Sequence, residues 1–287
     1  MLRIATFNTG LARLRLLGRP VFDAVPFPDL RLPLIRDRLA SGTDGVDIWL
    51  LQEVYGADAV RAFTAIPGYA AVSALSLGRD SGLVTLVRDG LAVSDAEIAP
   101  FPANDWVEAT FAKKGTLAVD VETPVGPMRI GNLHTSYDGR GRKRIKAKAP
   151  LSRARQVGIA LDLLERGGAG RHLLLGGDVN ASKAHEPATW RVAPDRGYAD
   201  LRLEAEAYDD AGVTSWAPAN RLARGHGRNE DIDLIFARWH GAPLRCSARH
   251  FLTEPVVPLP DGTTGPLSDH YALLVEIAAC QAVVAPG

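Results

Sequence analysis

Five short polar motifs stand at the ends of apolar runs in this 287-residue chain. Each contains amides, carboxylates or imidazoles, and the adjacent runs are rich in residues that form buried strands. Side chains at strand ends lie at the rim of a sheet, where sites are usually built. Gathered there, such groups would hold a hard metal ion among acid and base groups, which is the chemistry of phosphate ester hydrolysis. The motifs are Thr6-Phe7-Asn8, Leu51-Gln52-Glu53, Asn132-Leu133-His134, Gly177-Asp178-Val179-Asn180 and Ser268-Asp269-His270.

Glu53 is the first candidate for a metal ligand. A carboxylate that closes an apolar strand is costly unless it is hydrogen-bonded or holds a cation. Mg²⁺ prefers oxygen ligands and is often held by one or two carboxylates plus substrate phosphate, and Mn²⁺ accepts similar ligands. Asn8 ends the first predicted strand, where its amide can ligate or orient without adding charge. The alternatives are a surface ion pair for Glu53 and a simple turn at Asn8.

The Gly176-Gly177-Asp178-Val179-Asn180 segment predicts a tight turn after a buried strand, since glycine permits unusual backbone angles. Asp178 can then accept a proton from an attacking water or orient it. Asn180 can donate to a phosphate oxygen, where negative charge builds up in the transition state. The alternative is an Asx-turn without chemistry.

Asp233 and His270 are predicted to form a pair, because each lies at the start of a strand-like run. A carboxylate bonded to one imidazole nitrogen fixes the tautomer and makes the other nitrogen a better base or a better charged donor. His270 would then activate water or stabilise the phosphoryl oxygens, and Asp269 would face the metal. His134 closes another strand and can donate to a phosphate oxygen.

Bulk composition excludes several classes of protein. The 33 basic and 33 acidic residues balance, which argues against a protein that coats nucleic acid by bulk charge. Cys246 and Cys280 are far apart, so a disulfide framework is not expected. No apolar stretch approaches the roughly 20 residues that span a bilayer, and the first predicted strand, at Leu2, leaves no room for a secretory signal. We therefore expect a cytoplasmic protein.

Strand-like runs alternate with a few helix-like runs. Many strands with interspersed helices predict an α/β fold of two sheets packed face to face with helices outside. The motifs extend from residue 6 to residue 270, so we predict one domain over residues 1–287. Three connections, 10–29, 139–155 and 208–230, are predicted to be long, irregular and functional. The predicted strands are 2–7, 46–51, 82–87, 91–99, 116–123, 128–133, 172–175, 232–236 and 271–277, and the predicted helices are 30–39, 57–66 and 151–166.

In their order along the whole chain, the motifs resemble those of the endonuclease/exonuclease/phosphatase superfamily. Its members include deoxyribonuclease I, abasic endonucleases, inositol polyphosphate 5-phosphatases and neutral sphingomyelinases. The resemblance implies a Mg²⁺-dependent phosphoesterase with a four-layered α/β sandwich, in which two mainly antiparallel sheets lie between flanking helices. By position it implies metal-side roles for Asn8, Glu53 and Asp269, and catalytic roles for His134, Asp178, Asn180, Asp233 and His270.

Three further segments look like the sphingomyelinase-type branch. They are Lys113-Lys114-Gly115 before a strand, Arg153-Ala154-Arg155-Gln156 on a helix, and the Thr214–Asn220 stretch before Asp233. The resemblance implies substrate contacts for Lys114, Arg153 and Asn220. Two features depart from the family. Leu234 follows the dyad aspartate where an aromatic residue is usual, and we expect no signal peptide of the kind that secreted sphingomyelinases carry.

Three hypotheses for function follow. The first is a Mg²⁺-dependent phosphodiesterase that attacks a phospholipid head group or another small phosphodiester with water, and makes peripheral membrane contact through residues 10–29. The second is a nuclease that follows DNA or RNA with residues 139–155, which contain eight Lys/Arg and no acid. The third is a catalytically silent protein that binds a phosphorylated ligand. None of them implies a stable protein partner.

Overall fold

Two large β-sheets form the centre of the structure, a computed structural model that describes residues 1–16, 19–106, 108–137, 143–209, 213–215, 217–223 and 230–279. The strands are β1 (Leu2–Asn8), β2 (Arg13–Leu16), β3 (Arg19–Asp23), β4 (Ile48–Gln52), β5 (Tyr69–Ser73), β6 (Val84–Arg88), β7 (Val93–Pro100), β8 (Gly115–Thr123), β9 (Gly126–His134), β10 (His172–Asp178), β11 (Ala199–Asp200), β12 (Tyr208–Asp209), β13 (Asp233–Arg238), β14 (Arg245–Phe251), β15 (Val257–Pro258), β16 (Thr264–Gly265) and β17 (Ala272–Ala278).

Each sheet has one parallel pair of strands near its middle. The seven-stranded sheet has the order β12-β14-β17-β1-β4-β6-β5, and the six-stranded sheet has the order β11-β13-β10-β9-β8-β7. β1 pairs with β4 and β10 pairs with β9 in parallel, whereas most other neighbours are antiparallel. The prediction of two mainly antiparallel sheets is confirmed. Because the carboxyl ends of parallel strands meet at one edge, these pairs bring the motifs after β1, β4, β9 and β10 together.

Helices cover the outer face of each sheet. α1 (Pro28–Ala40) and α2 (Ala57–Thr64) pack on the seven-stranded sheet, and α3 (Lys143–Gly167) and α4 (Pro187–Arg191) pack on the six-stranded sheet. Side chains alternate along the strands, so that Ile4 and Leu50 point between the sheets while Phe7 and Leu51 point to the helices. The result is the predicted four-layered sandwich. No helix in the described part of the chain is long and apolar enough to cross a membrane.

A buried pair of amides joins the two sheets beneath the site. The Gln52 side chain donates to Asn132 Oδ1 at 2.8 Å, and the Asn132 amide donates to the carbonyls of Leu51 and Val84 at 3.1 Å. Gln52 also bonds Thr6. These bonds fix the separation of β4 and β9 directly behind Glu53 and His134. Both amides stand in the polar motifs at the strand ends, but their types and positions predicted no role for them.

We predict that Asn132→Leu lowers the free energy of unfolding by about 2–4 kcal/mol, since it removes one acceptor of the buried Gln52 amide and the donor to the Leu51 and Val84 carbonyls. Chemical denaturation of both proteins measures this loss. Glu206→Gln, at an exposed carboxylate that pairs with Arg245, is the control and should change stability little. Unchanged stability in Asn132→Leu would show that the amide pair does not hold the sheets together.

The three connections predicted to be irregular contain more structure than expected. Residues 10–29 include the hairpin β2–β3, and residues 208–230 include β12. Residues 139–155 include the start of α3 at Lys143, whereas the predicted helix began after Pro150. The helix continues through Pro150, whose carbonyl accepts a hydrogen bond from Thr189 Oγ1 at 3.1 Å, and this bond ties α3 to α4. Within these connections, residues 17–18, 139–142, 210–212, 216 and 224–229 lie outside the described residues.

Candidate active site

Seven of the predicted site residues meet at one end of the sandwich. Asn8, His134 and Asp178 are the last residues of β1, β9 and β10, and Glu53 directly follows β4. Asp233 opens β13 and pairs in register with Asp178, so it lies at the same end. His270 stands two residues before β17, and Asn180 two residues after β10.

Asp178 lies at the centre of this group. Its Oδ2 accepts a hydrogen bond from Asn8 Nδ2 at 2.9 Å and lies 3.4 Å from His134 Nε2 and 4.0 Å from His270 Nε2. Its Oδ1 accepts from the Asn180 backbone N–H at 2.8 Å. Burial raises the pKa of Asp178 to about 6, although His270 opposes this shift. A carboxylate with a pKa close to neutral is suited to accept a proton from water.

The backbone before Asp178 requires glycine. Gly177 has φ of 143°, and a Cβ there would lie 2.0 Å from the Leu133 carbonyl oxygen. This close approach of β10 to β9 aligns Asp178 with His134. The glycine that the sequence marked as a turn residue therefore allows two strands to approach at the site.

The backbone and hydrogen bonding of Glu53 suit a residue that binds a cation. It has a left-handed backbone, with φ of 62°, a conformation that costs free energy in a residue with a side chain. Its Oε1 accepts from Asn8 Nδ2 at 3.3 Å, while its Oε2 is buried without a hydrogen-bond partner among the described residues. A buried carboxylate oxygen without a donor is a costly arrangement that a hard cation would relieve. Asn8 Oδ1 accepts from Gly10 N at 3.0 Å, so this amide orients the two carboxylates in the present structure.

Asp178, Asp233 and His270 form a second arrangement that could hold a metal ion, with ligand atoms within 4.8 Å of one another. However, His270 Nδ1 is bonded to Asp233 Oδ2 at 2.8 Å, as predicted for a dyad. Burial alone would lower the pKa of His270, but the carboxylates of Asp233, Asp269 and Asp178 outweigh it and raise the pKa well above its usual value. A protonated His270 is a charged donor and a poor metal ligand.

The Asp233–His270 pair should make stability depend on pH. Because the folded-state pKa of His270 is raised, its stabilisation is complete below the unfolded pKa of about 6.5 and is lost as pH rises through the folded value. We therefore expect Asp233→Asn to lower the melting temperature more at about pH 6 than at about pH 9. Thermal unfolding of both proteins in EDTA measures this difference. An equal loss at both pH values would mean that His270 is neutral in the fold.

His134, predicted to donate to a phosphate oxygen, lies with its ring beside Lys114 and Asp178. Burial, followed by Lys114 and His270, lowers its pKa well below the usual value, so the ring is neutral. Lys114 Nζ contacts His134 Nε2, which then serves as acceptor. Burial also lowers the pKa of Lys114, although Glu53 and Asp178 oppose this. The Lys114 ammonium is thus the group that brings positive charge to this side of the site.

The other predicted substrate contacts are occupied by protein partners. Arg153 is buried and donates to Glu186 and to the Ser136 carbonyl. The Asn220 side chain donates to the Ser268 carbonyl and accepts from Leu222 N, both at 2.9 Å. Asn220 therefore positions the Ser268-Asp269-His270 segment, where Asp269 is only partly buried.

A buried arginine that sequence reasoning missed holds the metal side of the site. Arg31, on α1, donates to the carbonyls of Thr9 and Leu267 at 2.7 and 3.0 Å and contacts that of Gly10. These carbonyls belong to the segments after Asn8 and before Asp269. Burial lowers the pKa of Arg31 to about 10, while Asp269 and Glu53 oppose the shift. Arg31 lies inside the helix predicted over residues 30–39, where nothing in the sequence marked it as a site residue.

Comparisons with known proteins agree with this geometry. The model of the Endonuclease/Exonuclease/phosphatase family matches residues 5–270. Among solved structures, a beta toxin from Staphylococcus aureus has a TM-score of 0.75 at 17% identity, covering 96% of this chain and 99% of its own. The TDP2 of D. rerio, complexed with single strand DNA product, and a mannosyl-6-phosphatase from Bacteroides thetaiotaomicron each have a TM-score of 0.68 at 18% identity. Both matches cover 97% of this chain, and they cover 99% of the TDP2 chain and 100% of the mannosyl-6-phosphatase chain. The comparison with curated proteins gave no match. With nearly its whole length matched, the chain belongs to the endonuclease/exonuclease/phosphatase family.

Proposed function

We propose that this phosphate-ester hydrolase is a Mg²⁺-dependent phosphodiesterase in which Asp178 prepares the attacking water. The observation that carries the proposal is the buried Asp178 carboxylate, held by Asn8 and Asn180 and placed between a neutral His134 and a charged His270. A base near charged donors, here His270 and Lys114, that can stabilise developing negative charge is the arrangement that in-line attack of water on phosphorus needs.

Each residue has a separate task in this mechanism. Asp178 accepts the proton of the water, and Asn8 keeps its carboxylate in place. His270, kept protonated by its pair with Asp233, donates from Nε2 to a phosphoryl oxygen. Lys114 adds positive charge on the His134 side of Asp178. Glu53 would hold the Mg²⁺, with Asp269 on the same side, and Mn²⁺ suits the same oxygen ligands. When bound, the ion supplies charge neutralisation at the phosphate and at the leaving oxygen.

A nuclease is the second candidate. Its support is the basic start of α3, where Lys148 and Arg155 are exposed, together with the similarity to a TDP2 that was solved with single strand DNA product. A basic surface that follows a phosphate backbone makes cleavage strongly dependent on salt. Hydrolysis of a small or lipid phosphodiester should depend on salt far less.

The test is turnover with Mg²⁺ and with EDTA across bis-p-nitrophenyl phosphate, sphingomyelin, abasic duplex DNA and an inositol polyphosphate. We expect Mg²⁺-dependent cleavage of phosphodiesters that is lost in His270→Ala, with the preferred ester separating the two candidates. Turnover of the monoester alone would contradict a diesterase. Cleavage that persists in EDTA and in His270→Ala would contradict the assigned site.

A further inference from the structure

The position of the Lys114 ammonium depends on the connection from β7 to β8, which ends at this residue. Lys114 is 7% exposed, and its Nζ contacts His134 Nε2, which lies 3.4 Å from Asp178 Oδ2. The side chain of lysine is a flexible four-carbon stem, so its charge is placed only as well as the backbone that carries it. Whatever fixes the backbone at Lys114 therefore fixes this charge relative to a phosphate bound beside Asp178.

The backbone directly before Lys114 has an unusual conformation. Residues Glu108–Ala112 form a π-helical turn, and the Lys113 N–H donates to the Glu108 carbonyl at 2.7 Å. Lys113 itself has φ of 43°, in the left-handed region. A π-turn is rare and is frequently found at functional sites, and a left-handed backbone costs free energy in a residue with a side chain. Such a conformation persists only where surrounding groups hold it.

Two side chains hold this segment by its carbonyl groups. The Tyr55 hydroxyl donates to the Ala112 carbonyl at 3.0 Å. The Arg79 guanidinium donates to the Lys113 carbonyl at 3.1 Å and lies 3.5 Å from that of Lys114. Tyr55 and Arg79 belong to connections of the seven-stranded sheet, whereas Lys114 leads into β8 of the six-stranded sheet. These bonds therefore join the two sheets beside the site.

The ring of Tyr55 is itself fixed in place. It packs against Gly82, which has φ of 71° and where a Cβ would lie 2.6 Å from the ring. The Val54 N–H donates to the Gly82 carbonyl at 3.0 Å, which holds the neighbouring backbone as well. Glu53, the proposed ligand of the cation, stands two residues before Tyr55. One rigid side chain thus relates the segment after β4 to the position of Lys114.

We propose that Tyr55 is a positioning residue for ester hydrolysis, because its hydrogen bond to the Ala112 carbonyl holds the Lys114 ammonium where it meets a phosphate oxygen. The hydroxyl is occupied by this bond and acts through Lys114. Without it, the strained backbone at Lys113 relaxes and the ammonium moves. A misplacement of about 1 Å can cost about a hundredfold in rate. The inference rests on the proposed function, since it assumes a phosphate oxygen beside Lys114.

The test is a double-mutant cycle measured on kcat/KM with the preferred ester. Tyr55→Phe keeps the ring on Gly82 and should lower kcat/KM about tenfold, a partial loss because Arg79 still holds the next carbonyl. Lys114→Met should lower it at least about a hundredfold, the usual effect of losing a group that stabilises developing charge. Because Tyr55 acts through Lys114, the double variant should equal Lys114→Met within about twofold.

Tyr69→Phe is the matched control. The Tyr69 hydroxyl donates to the Val46 carbonyl at 2.7 Å, so this variant also breaks a bond from a partly buried tyrosine to the backbone. Val46 precedes β4 and lies at the end of the strand away from the site. Tyr69→Phe should lower the melting temperature about as much as Tyr55→Phe does, but it should leave kcat/KM unchanged within about twofold.

Binding of inorganic phosphate gives a readout that needs no turnover. Titration calorimetry in EDTA measures the Kd for phosphate in the same four proteins of the cycle. The Kd should rise about five- to tenfold in Tyr55→Phe, and it should be the same in Lys114→Met with and without the Tyr55 substitution. If this pattern holds while the wild type hydrolyses no ester, the proposed function is wrong and the positioning role of Tyr55 stands.

Four results would overturn the positioning role. The first is unchanged kcat/KM and phosphate affinity in Tyr55→Phe. The second is a double variant about tenfold less active than Lys114→Met, which would show that the hydroxyl acts independently of Lys114. The third is an equal loss of activity in Tyr69→Phe, which would make the effect a general loss of stability. The fourth is the absence of phosphate binding that depends on Lys114 in the folded wild type.

Discussion

Replacing Glu53 with glutamine will reduce Mg²⁺-dependent ester hydrolysis by about a thousandfold or more, while the protein remains folded. Glutamine keeps the shape of the side chain but removes the charge that holds the cation. A cation at the phosphate supplies charge stabilisation worth several kcal/mol in the transition state, so its loss affects kcat more than substrate binding. The measurement is kcat and KM with the preferred ester over a range of Mg²⁺ concentrations.

Binding of the ion can be followed separately from turnover. A ligand that binds only the folded state raises the melting temperature as its concentration rises. Mg²⁺ should therefore stabilise the wild type and stabilise Glu53→Gln much less. The control is Glu206→Gln, at the opposite end of the sandwich, where an exposed carboxylate pairs with Arg245 at 2.6 Å. If Glu53→Gln keeps both its stabilisation by Mg²⁺ and its activity, the ion lies elsewhere, and the Asp178–Asp233–His270 group becomes the leading alternative.

The strands that carry the site were predicted well because they are buried on both faces. β1, β4, β9 and β10 appear in the sequence as continuous apolar runs, and each run stops where a polar side chain reaches the rim. The hydropathy pattern did not predict the strands that are half exposed or short. β14 alternates buried and exposed residues and includes Arg245 and Arg249, while β5 is an alanine-rich edge strand.

The positions of the site residues were easier to predict than their protonation states. Chain order and strand ends bring Asp178, Asp233 and His270 together, but no sequence pattern shows that His134 is neutral and accepts from Lys114. These states follow from burial and from neighbouring charges that only the folded chain supplies. The same limit applies to Arg31, whose partners are backbone carbonyls far away in sequence.

Replacing Asp178 with asparagine should lower kcat by about a hundred- to ten-thousandfold, which is the usual contribution of a general base. The amide keeps the size of the side chain and can still accept from the Asn180 N–H, so the loss reports on proton transfer more than on shape. Because burial raises the pKa of Asp178 to about 6, the base is protonated at lower pH. Wild-type kcat should therefore rise as pH increases through about 6 before levelling off.

The decisive comparison is between the pH profiles of kcat for the wild type and for Asp178→Asn. The residual activity of Asp178→Asn should lack the rise near pH 6, since the group that titrates is gone. The control is Asp120→Asn, at a buried aspartate that bonds Arg129 at 2.9 Å at the other end of the sheet. That variant should lose stability but keep kcat and the pH profile of the wild type. If Asp178→Asn retains the same rise, the titrating base is a different residue, and that residue accepts the proton of the attacking water.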